Sequence, residues 1–136
     1  MIHPWRDLRS RPHITVIWTD LGDRLGATDG HSTVWLDDQQ LQVERRCTLA
    51  HELAHIDLGH TSGCSDRDEI QASRLAARRL IRLDQLADAL VWSQHLDVVA
   101  EALWVDVPTL RARIDHLHPA ERHYLRQRIE AKASPP

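Results

Sequence analysis

Cysteine is scarce in this chain: Cys47 and Cys64 are the only two in 136 residues. Two are too few for a disulfide framework, and nothing points to an oxidising compartment. Long apolar runs are missing as well. None approaches the roughly 20 residues that span a bilayer, and the opening MIHPWRDLRS lacks the apolar centre of a signal peptide. The expectation is a soluble, cytoplasmic protein with no membrane role. A strong charge of one sign is also absent, the net charge being −3. Residues 1–70 hold 7 Lys and Arg against 12 Asp and Glu, and residues 71–136 hold 10 against 8. That small basic excess is weak for a dedicated nucleic-acid binder. Lys132 is the only lysine, a bias that the base composition of a gene explains as readily as function does. There is no internal repeat and no low-complexity segment. What remains, 42% hydrophobic and 27% charged, is an ordinary globular composition that excludes wholesale disorder. The length fits one compact domain, or two small subdomains sharing a core.

Two short stretches rich in β-branched and aromatic residues, 13–19 (HITVIWT) and 32–37 (STVWLD), predict strands. Between them Gly22, Gly26 and Gly30, with Asp23 and Asp29, supply turn chemistry and leave room for a short strand near 25–28. From about residue 40 to 131 the period is helical. Breaks are expected at Gly59 to Gly63, around Asp84, near Gln94, at Asp106-Val107-Pro108 and at His118-Pro119. The class is α+β: a small N-terminal three-stranded sheet, antiparallel or mixed, packed on a helix, then a helical bundle. The expected division is 1–83 as the core, 84–132 as a helical support region, and 133–136 as a disordered tail.

The sharpest motif is His51-Glu52-Leu53-Ala54-His55. Histidines at i and i+4 lie about 40° apart around a helix, one turn above the other, so both rings can bind one ion. Zinc suits imidazole nitrogen and tolerates a shell with one open position, and manganese or iron suits the same donors. Glu52, next to the first histidine, is placed to take a proton from water and pass it to a leaving amine. Leu49, Leu53, Ile56 and Leu58 make this helix apolar. Burying two imidazoles and a carboxylate in it without a reason is expensive.

A third ligand is needed. His60 would lie about 180° from His51 if the helix continued, so it could bind only if the chain reverses at Gly59. Cys64 follows in the loop and could swing in as a thiolate. Cys47 is one turn before His51, but Cys47, His51 and His55 span about 12 Å along one helix, too far to converge. It reads as a small core residue. Glu69 fits better. In a helix over about 67–83, Ala72, Ser73, Ala76, Leu80 and Leu83 fall within roughly 60° of it, whereas Gln71, Arg74, Arg78 and Arg82 fall opposite. Glu69 is therefore expected to face the core, where a carboxylate needs a partner such as a metal. Asp66 and Asp68 read as helix caps, and Arg74, Arg78 and Arg82 as a solvated face.

RRCTLAHELAHIDLGH (45–60), followed by DEIQASRLAARRLI (68–81), resembles the ImmA/IrrE family of zinc metallopeptidases. The resemblance implies His51 and His55 as ligands of one zinc, Glu52 as general base and acid, and Glu69 as third ligand. Gln71, Ser73, Leu75 and Cys47 depart from the usual Glu, Asn, Phe and Phe, and none of these removes a ligand. The substrate it implies is a helix-turn-helix repressor whose cleavage derepresses phage, mobile-element or stress genes. A strand, 32–37 being the first choice, would hold that substrate by strand addition. The alternative is a metal-stabilised anti-repressor that binds its partner without cutting it.

Residues 96–117 (LDVVAEALWVDVPTLRARIDHL) read as helix, turn, helix, like those of DNA-binding proteins. The second helix carries Arg111 and Arg113 but also Asp115. Direct DNA binding is not expected, and a supporting role is. Trp92 and Trp104 read as core residues. Tyr124, His116, His118 and His123 are open candidates for an oxyanion donor.

Overall fold

The computed structural model describes residues 2–61 and 64–133. The terminal Ser-Pro-Pro, and Ser62 and Gly63 of the expected loop, lie outside the described residues. The fold is α+β. A short helix α1 (Pro4–Arg9) precedes strands β1 (Thr15–Thr19), β2 (Gly26–Thr28) and β3 (Thr33–Asp37). Among the described residues six helices follow: α2 (Gln42–Asp57), α3 (Asp66–Leu80), α4 (Leu83–Trp92), α5 (Leu96–Leu103), α6 (Val107–Asp115) and α7 (Pro119–Ala133).

The sheet is mixed, in the order β1-β3-β2. β1 runs parallel to β3 with Thr15 opposite Thr33, and β2 runs antiparallel with Gly26 opposite Leu36. β3 is thus paired on both edges, which corrects the expectation that 32–37 takes an added strand. The strand with an open edge on the site side is β2.

Alternation along β3 sends Val34 and Leu36 to the interior, where they meet Leu49 and Leu53 of α2 and Ile14. Each fully buried leucine in that contact contributes about 1.5–3 kcal/mol. The other flank of α2 carries Cys47, Ala50 and Ala54 into a second cluster with Ala72, Ala76 and Leu80 of α3. This cluster continues through Leu86, Val99 and Leu110 to Leu125. α2 is therefore apolar on two flanks, and only its third face is left for polar side chains. The alanines of α3 let it approach α2 closely. Its start is set by a capping box, in which Asp68 N–H donates to Ser65 Oγ at 3.2 Å and Ser65 N–H to Asp68 Oδ2 at 3.4 Å.

Several local expectations are corrected. α1, too short to show a period, sits ahead of the sheet. It is tied down by Arg11, which donates to Asp7 and to Asp57, and Arg79 donates to Asp57 as well. The break expected at Asp84 falls at Ile81, which is extended at φ −123° and ψ 107°. Asp84 lies instead in the first turn of α4, where a carboxylate suits the helix dipole. Trp92 is 77% exposed and Trp104 50% exposed, so neither is a core residue. Trp92 ends α4 under the Lys132 ammonium. Trp104 caps α5 in the left-handed conformation (φ 57°), with its carbonyl accepting from Arg46. Arg78 is not merely solvated, since it pairs with Glu121 at 3.0 Å. Among the described residues no helix is long and apolar enough to cross a membrane.

Candidate metal centre

α2 holds His51 and His55 one turn apart, and their Nε2 atoms lie 3.0 Å from each other. Glu69 reaches them from the first turn of α3. Its Oε2 lies 2.8 Å from His51 Nε2, and its Oε1 lies 3.3 Å from His55 Nε2. These donor atoms all fall within 4.8 Å of one another. Bonds of about 2.0–2.1 Å in a tetrahedral shell place donor atoms about 3.3 Å apart, so two imidazoles and a carboxylate so spaced fit a zinc-sized ion. Ser73 Oγ lies 3.3 Å from the other nitrogen of His51, Nδ1. A hydroxyl there turns Nε2 toward Glu69.

Glu69 does not face the core, as its side of α3 suggests. Its side chain is 49% exposed. The first turn of α3 stands at the rim, and the buried contact with α2 begins at Ala72. Glu69 thus looks into a cleft of about 670 Å³ between β2, α2, α3 and α6.

Glu52 lies deeper. It is 6% exposed, and no hydrogen bond to its carboxylate is found among the described residues. Burial first, and then the charge of Glu69, push its pKa up to about 7, with Arg24 opposing. The backbone of β2 closes over it. A Cβ at Gly26 would stand 2.5 Å from Thr48 Cγ2 and 3.1 Å from Glu52 Oε1, so only glycine lets the strand approach this closely.

His55 is 2% exposed, and burial first, then His51, lowers its pKa, which favours the neutral ligating form. Its second nitrogen has company too. The chain reverses at Gly59, in the left-handed conformation at φ 74°. This reversal brings His60 Nδ1 to 2.9 Å from His55 Nδ1. Cys64 Sγ lies 3.6 Å from the same atom. The two residues weighed as alternative third ligands therefore sit on the far edge of the His55 ring, away from His51 and Glu69. Cys47 stays out of both groups. Its thiol, raised in pKa by burial, accepts from Asp106 N–H at 3.4 Å.

Two features of the cleft escape sequence reasoning. Arg24, just before β2, lines it, and so do Asp106, Thr109 and Ala112 of the α6 region. None of Tyr124, His116, His118 and His123 does. His116 Nδ1 turns instead to the carbonyl of Ala112 at 2.8 Å, and Tyr124 accepts from Arg128. Ser73 carried a usable signal, because it lies one turn after Glu69 on the same face. Arg24 and the α6 wall carried none, as both come from distant parts of the chain.

Residues 9–115 match the model of the family described as the IrrE N-terminal-like domain, a peptidase family. No curated protein and no solved structure matches the chain. The matched span runs from the end of α1 through α6 and takes in every residue that lines the cleft. The match covers well over half of the chain, and the chain belongs to the IrrE N-terminal-like peptidase family.

Proposed function

We propose that the chain is a zinc-dependent endopeptidase, with one ion held by His51, His55 and Glu69 and with Glu52 as general base and acid. The observation that carries this reading is the convergence of three donor atoms beside a buried carboxylate that has no hydrogen bond among the described residues. When bound, the ion supplies Lewis acidity, polarising the scissile carbonyl and acidifying water. Manganese or iron suits the same donors. The chain's own residues do the rest. Glu52 takes a proton at its carboxylate and returns it to the leaving amine, and a pKa near neutrality serves both directions. Ser73 orients His51. β2 offers its open edge to an extended peptide along the cleft, where main-chain bonds position the carbonyl. Arg24, a cation that lines the cleft, is the donor this reading assigns to charge growing on that carbonyl.

The substrate in this reading is a cytoplasmic helix-turn-helix repressor, cut to derepress phage, mobile-element or stress genes, an inference by family analogy. DNA has no part in this reading: Arg113 on α6 is 3% exposed and paired with Glu121, which leaves Arg111 as the exposed arginine of that helix.

The first test is metal content per chain for wild type and Glu69→Ala, purified without chelator or metal-affinity tag. About one zinc in the wild type and a clear loss in Glu69→Ala are expected, while full zinc in both would remove Glu69 from the set. Glu52→Gln then separates cleavage from mere binding. It should retain metal and repressor binding but leave the repressor intact. Equal relief of repression by wild type and Glu52→Gln would favour the non-proteolytic anti-repressor.

A further inference from the structure

The far edge of His55 carries donors that peptide hydrolysis does not use. We propose that His55, His60 and Cys64 form a second metal site, for a thiophilic divalent ion, which competes with the His51/His55/Glu69 set for the one imidazole of His55.

Geometry is the first support. His55 Nδ1, His60 Nδ1 and Cys64 Sγ all lie within 4.8 Å of one another. A tetrahedral ion with bonds of about 2.05 Å to nitrogen and about 2.3 Å to sulfur spaces a nitrogen and a sulfur about 3.6 Å apart. His55 Nδ1 and Cys64 Sγ stand at 3.6 Å. The two Nδ1 atoms, at 2.9 Å, need only a few tenths of an ångström more.

The surroundings of His60 are the second support. Its Nε2 lies 3.3 Å from Gln71 Oε1 and 3.4 Å from Asp68 Oδ1. Two oxygen acceptors hold the ring proton on Nε2 and leave Nδ1 as the donor atom, the pattern in which an outer oxygen orients a ligating imidazole. The His60 side chain is only 9% exposed, so the ring is held in place. Cys64 is exposed and gives an ion its way in. On binding, the thiol releases its proton to solvent as the sulfur–metal bond forms.

Competition follows from the shared ring. A neutral imidazole ligates through one nitrogen and carries its proton on the other. The His51/Glu69 side needs Nε2, and the His60/Cys64 side needs Nδ1. One ion excludes the other, and an ion on the far edge is out of reach of Glu52. The sulfur donor also changes selectivity, favouring soft ions over those that two imidazoles and a carboxylate prefer.

Cobalt(II) titration of the metal-free, reduced full chain tests this, because thiolate ligation gives a near-ultraviolet charge-transfer band that nitrogen and oxygen ligands do not. Glu69→Gln, at an exposed position, weakens the competing set and should show the band at full strength with one cobalt per chain. Adding Cys64→Ser should abolish the band and lower cobalt affinity at least tenfold. His60→Gln in the Glu69→Gln background should also lose it, with circular dichroism confirming an unchanged fold. Cys64→Ser alone should still bind one cobalt, without the band. No band in Glu69→Gln, or a band that survives Cys64→Ser, would overturn the site. Two cobalt ions bound together on one wild-type chain would overturn the competition.

Discussion

Glu52 in the cleft and Glu121 behind it are the same chemical group treated in opposite ways. Glu52 is 6% exposed and has no hydrogen-bond partner among the described residues, and burial holds its pKa up to about 7. Glu121 is 13% exposed at the side chain, nearly as enclosed. It accepts from Arg113 at 2.9 Å, from Arg78 at 3.0 Å and from the His118 N–H at 3.1 Å. Its pKa falls to about 2, chiefly through Arg113. A carboxylate enclosed without partners becomes a group that can carry a proton, whereas one enclosed with partners becomes a clasp. The clasp has a visible task. Arg113, which also donates to the Ile81 carbonyl, and Arg78 bind the start of α7 to α6 and α3, two of the helices that wall the cleft.

That contrast can be broken by exchanging each glutamate for glutamine. The largest effect expected is on activity. Glu52→Gln should slow peptide cleavage by about 10²–10⁴-fold, while leaving the unfolding free energy unchanged or raised by up to about 1 kcal/mol. Cleavage assays beside urea denaturation check both halves, and undiminished cleavage would end the general-base role. Glu121→Gln should do the reverse, keeping the cleft chemistry and lowering stability by about 2–3 kcal/mol, because a buried Arg113 loses its counter-charge. An unmoved urea midpoint would show that Arg113 needs no carboxylate.

The acid and neutral limbs of stability sharpen the same comparison in metal-free protein. Glu121 holds its proton less tightly when folded. Its stabilisation is complete above about 4.5 and is lost as pH falls from there toward 2. Glu52 has the opposite sign. It costs nothing below about 4.5, destabilises increasingly from there up to about 7, and costs a constant amount above that. Denaturation midpoints from pH 2 to 8 should show a shallower acid limb in Glu121→Gln, with Asp29, Asp57 and Glu69 keeping the rest of it, and should lose the neutral-side fall due to Glu52 in Glu52→Gln.

Gly26→Ala should cost about 1–3 kcal/mol by forcing β2 away from Thr48 and Glu52, read as a lower thermal midpoint. The smallest effect belongs to Trp92→Ala. The ring is 77% exposed, so a change beyond about 0.5 kcal/mol would mean that it packs on something else.

How much of this was legible in the residues depends on distance along the chain. His51 and His55 meet because 3.6 residues per turn brings i and i+4 together, a local fact readable from spacing alone. Glu69 was legible for the same reason, through the face it shares with Ala72, Ser73 and Ala76. Its half-exposure was not, because a helical period tells which side faces a neighbour and not where the two helices part. His60 depended on whether Gly59 would turn the chain back, a choice between two conformations that glycine holds nearly equal. Trp92 and Trp104 misled, because size argues for burial only when a wall is available to receive the ring.

The sequence by itself determined the α+β order, the three strand windows, nearly every helix break and the two histidines with their intervening glutamate. These rest on periodicity, turn residues and capping, all of which act within a few residues. Only the tertiary structure decided the mixed sheet order that leaves β2 open, the α6 wall, the approach of Gly26 to Glu52 and the enclosure of both glutamates. Each is set by packing between distant segments. Whether a carboxylate ends at a pKa of about 7 or about 2 depends on which groups arrive from elsewhere to meet it.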